Sequence, residues 1–186
     1  MIIIGITGTL GAGKGTIVGY LVNERGFTHY SVREFLLEEI RKRSMPENRD
    51  SMFNLANELR AQHGDSFVVD QLYARAVQSG KNCVIESIRT TGEIASLRSM
   101  DNFILFAVDA DPEIRFRRVQ LRQSETDRIS YETFLENEAR EMTSTGSGKP
   151  NIARCIELAD FVFINNGTRE ELFEKVSVIS SNLKNF

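Results

Sequence analysis

The sequence has no tryptophan, and only three prolines, two histidines and two cysteines in 186 residues. Cys83 and Cys155 lie far apart in apolar surroundings. They exclude a disulfide-stapled scaffold and read as buried thiols. With His29 and His63 alone, a zinc centre is not expected. No apolar run approaches the ~20 residues that span a bilayer, so no membrane partner is expected. The first apolar run leads directly into a glycine-rich loop, unlike a secretory leader, and a cytoplasmic location is the expectation. Excess charge is also missing. Twenty-three Lys and Arg against twenty-six Asp and Glu give −3, which excludes a broad basic surface and hence nucleic acid as a partner. The 41% hydrophobic content suits a single domain over 1–186 with a real core.

What the sequence does have is concentrated near its start. Ile2-Ile3-Ile4-Gly5-Ile6 reads as a buried strand. Gly8-Thr9-Leu10-Gly11-Ala12-Gly13-Lys14-Gly15-Thr16 follows, and then apolar residues at helical spacing from Ile17. Strand, glycine loop and helix form the context of a phosphate-binding loop, G-x-x-x-x-G-K, met by Gly8, Gly13 and Lys14. Glycines let several backbone N–H groups face one anion, and the helix N-terminus adds partial positive charge. Lys14 supplies a full charge for β/γ-phosphates. The position after the lysine, where a Ser or Thr hydroxyl holds Mg²⁺ in the general motif, is Gly15, and Thr16 comes one place later.

Beyond the loop, apolar runs alternate with helical periodicities. Strands are expected over 27–30, 82–86, 103–108 and 161–164. Helices are expected over about 16–25, from 33, over 49–63, from 67, over 93–100, from 112, over 131–142 and 152–158, and from 169. Ser31 and Glu34 have the spacing of a capping box. The uninterrupted apolar run Phe103-Ile104-Leu105-Phe106-Ala107-Val108 implies a strand covered on both faces. The expected fold is a three-layer α/β/α domain on a five-stranded parallel sheet, with ligands at the carboxyl ends of the strands. Those ends carry Thr7–Gly8, Tyr30–Ser31, Glu86–Arg89, Asp109 and Asn165–Asn166.

Phosphoryl transfer asks for charge stabilisation and alignment, and this rim offers both. Glu86 ends a strand where an acid can hold Mg²⁺ directly or through water. Arg89 follows three residues later. Arg118 and Arg122 share one helix face, and Arg115 lies on a neighbouring part of it.

The G-K-G-T form of the loop resembles adenylate kinase and other nucleoside monophosphate kinases, which are P-loop NTPase folds. Glu86-Ser87-Ile88-Arg89-Thr90 is similar to their D-G-F-P-R-T, one residue shorter and with Glu for Asp. The resemblance implies ATP and Mg²⁺ as cofactors and small-molecule nucleotide substrates. It implies nucleotide contacts from Gly8, Gly11, Ala12, Gly13, Lys14, Gly15, Thr16 and Arg118. Arg89 would grip the acceptor phosphate, Glu93 would read the acceptor base, and Ser31 and Arg33 would begin the acceptor-binding helices at about 31–80. Ser31 matches that family's S-T-G-D-x-L-R. The family arginine falls on Leu37, so Arg33, Arg41 or Arg43 would substitute. Arg118 and Arg122 match the R-x-x-x-R that opens a lid, here about 119–150, with Arg128 and Arg140 closing from its far side. The metal would rest on Glu86 and water, with Thr16 the other candidate. Ala159-Asp160 to Leu172 resembles dephospho-coenzyme A kinase, and Asn166 and Gly167 would frame the donor adenine.

Three functions compete on these residues. The leading one is ATP-dependent phosphorylation of a nucleoside monophosphate, ribo or deoxy, by a monomer or weak homo-oligomer, with Lys14, Arg89, Arg118 and Arg122 as its catalytic groups. The second is phosphorylation of a sugar hydroxyl, as by dephospho-coenzyme A kinase. Such an acceptor needs a base, and Ser31-Val32-Arg33-Glu34 stands where that family has D-x-D; Asp109-Ala110-Asp111 is a D-x-D after another strand. The third is a slow ATPase or nucleotide-binding switch.

Overall fold

A computed structural model describes residues 1–100, 102–122, 129–146 and 148–183. Five parallel strands form one sheet in the order β2-β3-β1-β4-β5. They are β1 (Ile3–Gly8), β2 (Thr28–Ser31), β3 (Cys83–Glu86), β4 (Phe103–Asp109) and β5 (Phe161–Ile164). Among the described residues the helices are α1 (Lys14–Arg25), α2 (Val32–Lys42), α3 (Arg49–His63), α4 (Phe67–Ser79), α5 (Thr91–Arg98), α6 (Pro112–Leu121), α7 (Tyr131–Met142), α8 (Ile152–Glu157) and α9 (Arg169–Asn182). This is the α/β architecture that the alternating periodicities imply.

The alternation of side chains along each strand divides the core into two layers. Ile3, Cys83, Ile85 and Leu105 face α2, α3, α4, α5 and α8, packing with Phe35, Ile40, Leu55, Leu72 and Leu97. Ile4, Ile6, Val84, Phe106, Val108 and Phe163 face α1 and α9, packing with Ile17, Leu21, Leu172 and Val176. β1 is buried along its whole length because it sits mid-sheet with helices on both faces. Cys83 and Cys155 are free thiols in this core, and burial pushes them up to about 11 and about 12.

Register brings the chemistry to one edge. Ser31 and Ile6 both pair with Glu86, Gly8 pairs with Val108, and Asp109 pairs with Ile164. One local expectation changes. The Ser31 hydroxyl accepts from the Glu34 N–H, but the Glu34 carboxylate lies toward Arg33 instead of completing a box. The reciprocal boxes are Thr90/Glu93 and Thr168/Glu171.

Candidate active site

The glycine loop joins β1 to α1 in a conformation that side chains would block. Gly8, Gly11 and Gly13 have φ of 138°, 82° and 116°. A Cβ at Gly8 would lie 2.0 Å from the Val108 carbonyl oxygen, and one at Gly11 2.5 Å from the Arg115 carbonyl oxygen. Gly13 caps α1 without a side chain, and Thr16 is the first residue of that turn to donate back, to the Gly13 carbonyl at 2.9 Å. The N–H groups of Gly13, Lys14 and Gly15 find no acceptor among the described residues. The Lys14 ammonium reaches the carbonyls of Gly8 and Thr9, both at 2.8 Å. Burial, and then the nearby Arg89 charge, pull its pKa down to about 8. Unpartnered amides and a buried cation with only carbonyl partners are what a polyphosphate completes, so the loop fits the phosphates of a nucleoside triphosphate.

The loop is braced from behind. Thr9 donates its hydroxyl to Asp109 at 2.5 Å, and Asn165 donates from Nδ2 to the Ala12 carbonyl at 2.7 Å. Arg115, near the Arg118 and Arg122 face of α6, is turned into the core. It is 2% exposed, pairs with Glu138 and Asp109, donates to the carbonyls of Ala110 and Leu10, and lies over Phe134. It supports the loop instead of reaching over it.

A cavity of about 670 Å³ opens from the loop toward α2, α3 and α7. Gly11, Gly13, Lys14, Gly15 and Thr16 form one wall, with Glu86, Arg89 and Arg122 beside them. Arg33, Arg49, Arg60, Arg140 and Glu141 also line it, with Met52, Phe53 and Ala56 as apolar surface. Glu86 accepts from His29 Nε2 at 3.2 Å in the neutral-donor tautomer or as an ion pair. Burial opposes its ionised form, but the His29 bond and the Lys14 charge outweigh this and hold the carboxyl below its ordinary range. Among the described residues no three His, Cys, Asp or Glu cluster as a metal site. Glu86 and Thr16 both border the cavity. They fit an ion that takes most of its ligands from phosphate oxygens and water.

A second cavity, about 250 Å³, adjoins the first at the loop, lined by Gly11, Gly13, Thr16, Arg118, Arg122, Asn165 and Arg169. Arg118 bridges the carbonyls of Asn165 and Gly167 at 2.8 and 3.0 Å. Burial and the Arg122 charge lower its pKa. Asn166 accepts from the Asp111 N–H at 2.9 Å and borders neither cavity, nor does Gly167. The neighbours that do border the second cavity are Asn165, which the sequence placed at a strand end, and Arg169, which had been given no role.

Glu93 is the clearest correction. It is fully buried and borders no cavity. Oε1 accepts from Arg60 at 2.8 Å, and Oε2 accepts from the backbone N–H groups of Arg89 and Thr90 at 2.8 and 3.1 Å. Both oxygens are engaged, leaving nothing for an acceptor base. The signal was present as Thr90 three places before Glu93, a capping box at the start of a helix. Ser31 serves as the cap of α2 and does not border the cavity. Arg41 and Arg43 pair with Glu47 and Glu58 outside it. Arg33 does line it. Arg140 lines it too, over the Phe53 ring at 5.0 Å, whereas Arg128 lies outside the described residues.

Two groups without a sequence signal complete the acceptor side. Arg49 begins α3, and Glu141 lies near the end of α7. Glu141 accepts from Arg49 Nη2 at 2.8 Å and from Arg89 Nη1 at 2.5 Å. Burial again opposes its ionised form, and the Arg89 and Arg49 charges outweigh it and hold its pKa low.

A parallel sheet with a glycine loop after β1 and arginines lining the adjoining cavity defines a P-loop domain. The chain belongs to the AAA-domain family AAA_18, whose family model matches residues 4–144. Among curated relatives, the UPF0200 protein TK1334 of Thermococcus kodakarensis is 30% identical over 177 residues, spanning 92% of this chain and 91% of that one, which places the chain among the UPF0200 proteins. Two solved structures share the fold. TT1252 from Thermus thermophilus has a TM-score of 0.63 at 23% identity, covering 98% of this chain and 97% of that one. Shikimate kinase from Bacteroides thetaiotaomicron has 0.62 at 14%, covering 98% of each.

Proposed function

We propose that this protein transfers the γ-phosphate of ATP to the phosphate of a nucleoside monophosphate. The observation that carries the reading is the continuity of one cavity, whose lining includes both the phosphate loop and Arg33, Arg49, Arg89 and Arg140. An anionic acceptor needs counter-charge and alignment more than a base. Lys14 and the loop amides hold the donor's β/γ-phosphates. Arg122, which borders both cavities, neutralises charge as it moves between them. Arg89 holds the acceptor phosphate, and Met52, Phe53 and Ala56 offer apolar surface to its base. Mg²⁺ would supply charge neutralisation at the transferring group; Glu86, with water, and Thr16 are the residues that would hold it.

The acceptor-base reader is not Glu93, so base selectivity falls to the polar groups that do line the cavity, Asp50, Asn137 and Arg33. Steady-state assays with ATP and Mg²⁺ against AMP, CMP, GMP, UMP and their deoxy forms test the reading. One preferred acceptor is expected. Turnover of dephospho-coenzyme A or shikimate in place of all of these would overturn it in favour of a hydroxyl acceptor. Tight ATP binding with no acceptor at all would overturn it in favour of a switch.

A further inference from the structure

Resting on the reading of an anionic acceptor, we infer that Arg49 and Arg89 together form the acceptor-phosphate subsite, and that Glu141 is the positioning residue that aims both guanidiniums into the cavity. Arg49 comes from α3, Arg89 from the loop after β3, and Glu141 from α7. Each arginine gives one nitrogen to a separate oxygen of the same carboxylate. A guanidinium carries five N–H donors. Among the described residues, neither side chain has another hydrogen-bond acceptor, and both line the cavity. The arginine side chains remain 29% and 36% exposed, whereas that of Glu141 is 10% exposed. All three line the cavity, the carboxylate is the less exposed partner, and the remaining donors of the two cations are left for a ligand.

Two further observations fit an aiming role. Glu93 fixes the Arg89 backbone by accepting its N–H, while Glu141 fixes its side chain, so the residue is held at both ends. A carboxylate near the C-terminal end of a helix meets an unfavourable helix dipole, so the two guanidiniums, and not the helix, account for the position of Glu141. The subsite is also adjacent to the phosphate loop, since the Arg89 charge acts on Lys14. Two arginines less one carboxylate leave a net positive fork, suited to a phosphate dianion.

The test measures inorganic phosphate binding by calorimetry to protein saturated with β,γ-imido-ATP and Mg²⁺, so that the loop is already filled. The wild type is expected to bind one phosphate. Arg49→Gln should weaken that binding by about tenfold or more, the scale of a lost charge-assisted hydrogen bond, and Arg49→Lys should restore part of it. Glu141→Gln, which keeps the shape and loses the charge, should weaken phosphate and raise the acceptor KM while leaving the KM for ATP unchanged. A merely structural role would lower the thermal midpoint without that split. Tighter phosphate binding in Glu141→Gln would make Glu141 an occupant of the site and overturn the assignment. Unchanged binding in Arg49→Gln, or no phosphate binding in the wild type, would overturn it as well. The two readings separate cleanly. Phosphate binding that follows these variants without turnover of any nucleoside monophosphate refutes the proposed acceptor and keeps the subsite. Turnover with an unaltered acceptor KM in Arg49→Gln does the reverse.

Discussion

Replacing Glu93 by alanine separates a structural role from a substrate-reading one. The Arg60–Glu93 pair is 6% and 1% exposed at its side chains, with the contact at 2.8 Å. Removing the carboxylate leaves the Arg60 guanidinium buried without its counter-charge. Arg60 already has a buried Nε with no partner among the described residues, so no nearby acceptor can take over. Breaking such a pair from one side costs about 3–5 kcal/mol. Loss of the cap at α5, where the N–H groups of Arg89 and Thr90 lose their acceptor, adds about 1 kcal/mol. Against a typical total of about 5–15 kcal/mol, that is a large share. At about 2–4 °C per kcal/mol for a chain of this size, the thermal midpoint should fall by roughly 8–24 °C. Thermal unfolding followed by circular dichroism measures the midpoint, and urea unfolding the free energy, with the slope of the transition compared to wild type. The double variant Arg60→Met/Glu93→Gln removes both charges and keeps an acceptor for the two N–H groups. It should recover most of the loss, giving a coupling of at least about 2 kcal/mol. A Glu93→Ala protein within about 1 kcal/mol of wild type, with altered acceptor preference, would refute this reasoning and return Glu93 to the substrate.

Other expectations follow from the loop and its surroundings. Because Lys14 is depressed to about 8 in the free protein, its charge is present below that pH and lost as pH rises through it. ATP affinity should therefore weaken about fivefold between pH 8 and 9, as the charged fraction falls from about one half to about one tenth, and the Lys14→Arg variant should show no such slope; a flat wild-type profile would sink the idea. The same shift means that the unfolded chain binds the extra proton between about pH 8 and 10.4, so this group's contribution to stability rises across that window. Gly8→Ala, which drives a Cβ onto the Val108 carbonyl, should destabilise by about 3 kcal/mol or more. Gly15→Ala, inside α1 with nothing within 4 Å of the new Cβ, should stabilise by about 0.5–1 kcal/mol. Equal thermal midpoints for the two variants would contradict the loop geometry. Arg89→Ala should raise the acceptor KM at least about tenfold and leave ATP binding near wild type, as measured by calorimetry; loss of ATP binding alone would place Arg89 on the donor side.

Much of this was legible along the chain because the signals are local. The glycine spacing at Gly8, Gly11 and Gly13 specifies a left-handed backbone whatever surrounds it, and the observed φ values agree. Continuous apolar character at Phe103–Val108 gave a covered strand, and Arg49–His63, Tyr131–Met142 and Phe161–Ile164 fall where periodicity and breakers put them. The arginines were a different matter. An arginine on an amphipathic helix has the same local signature whether it faces water, substrate or a buried acid.

The sequence by itself therefore determined the strand–loop–helix at Gly8–Thr16, the alternation that builds a parallel sheet, and the collection of polar residues at the carboxyl ends of its strands. Only the tertiary structure decided which charges pair. Arg60 meets Glu93 across 33 positions, Arg89 meets Glu141 across 52, and Arg49 meets Glu141 across 92. Those pairings withdrew Glu93 into support of the backbone, and brought Arg49 and Glu141 to the cavity. The physical reason is range. Turns and caps are fixed within a few residues by sterics and hydrogen bonding, whereas the value of an ion pair depends on burial that the folded packing of distant elements creates.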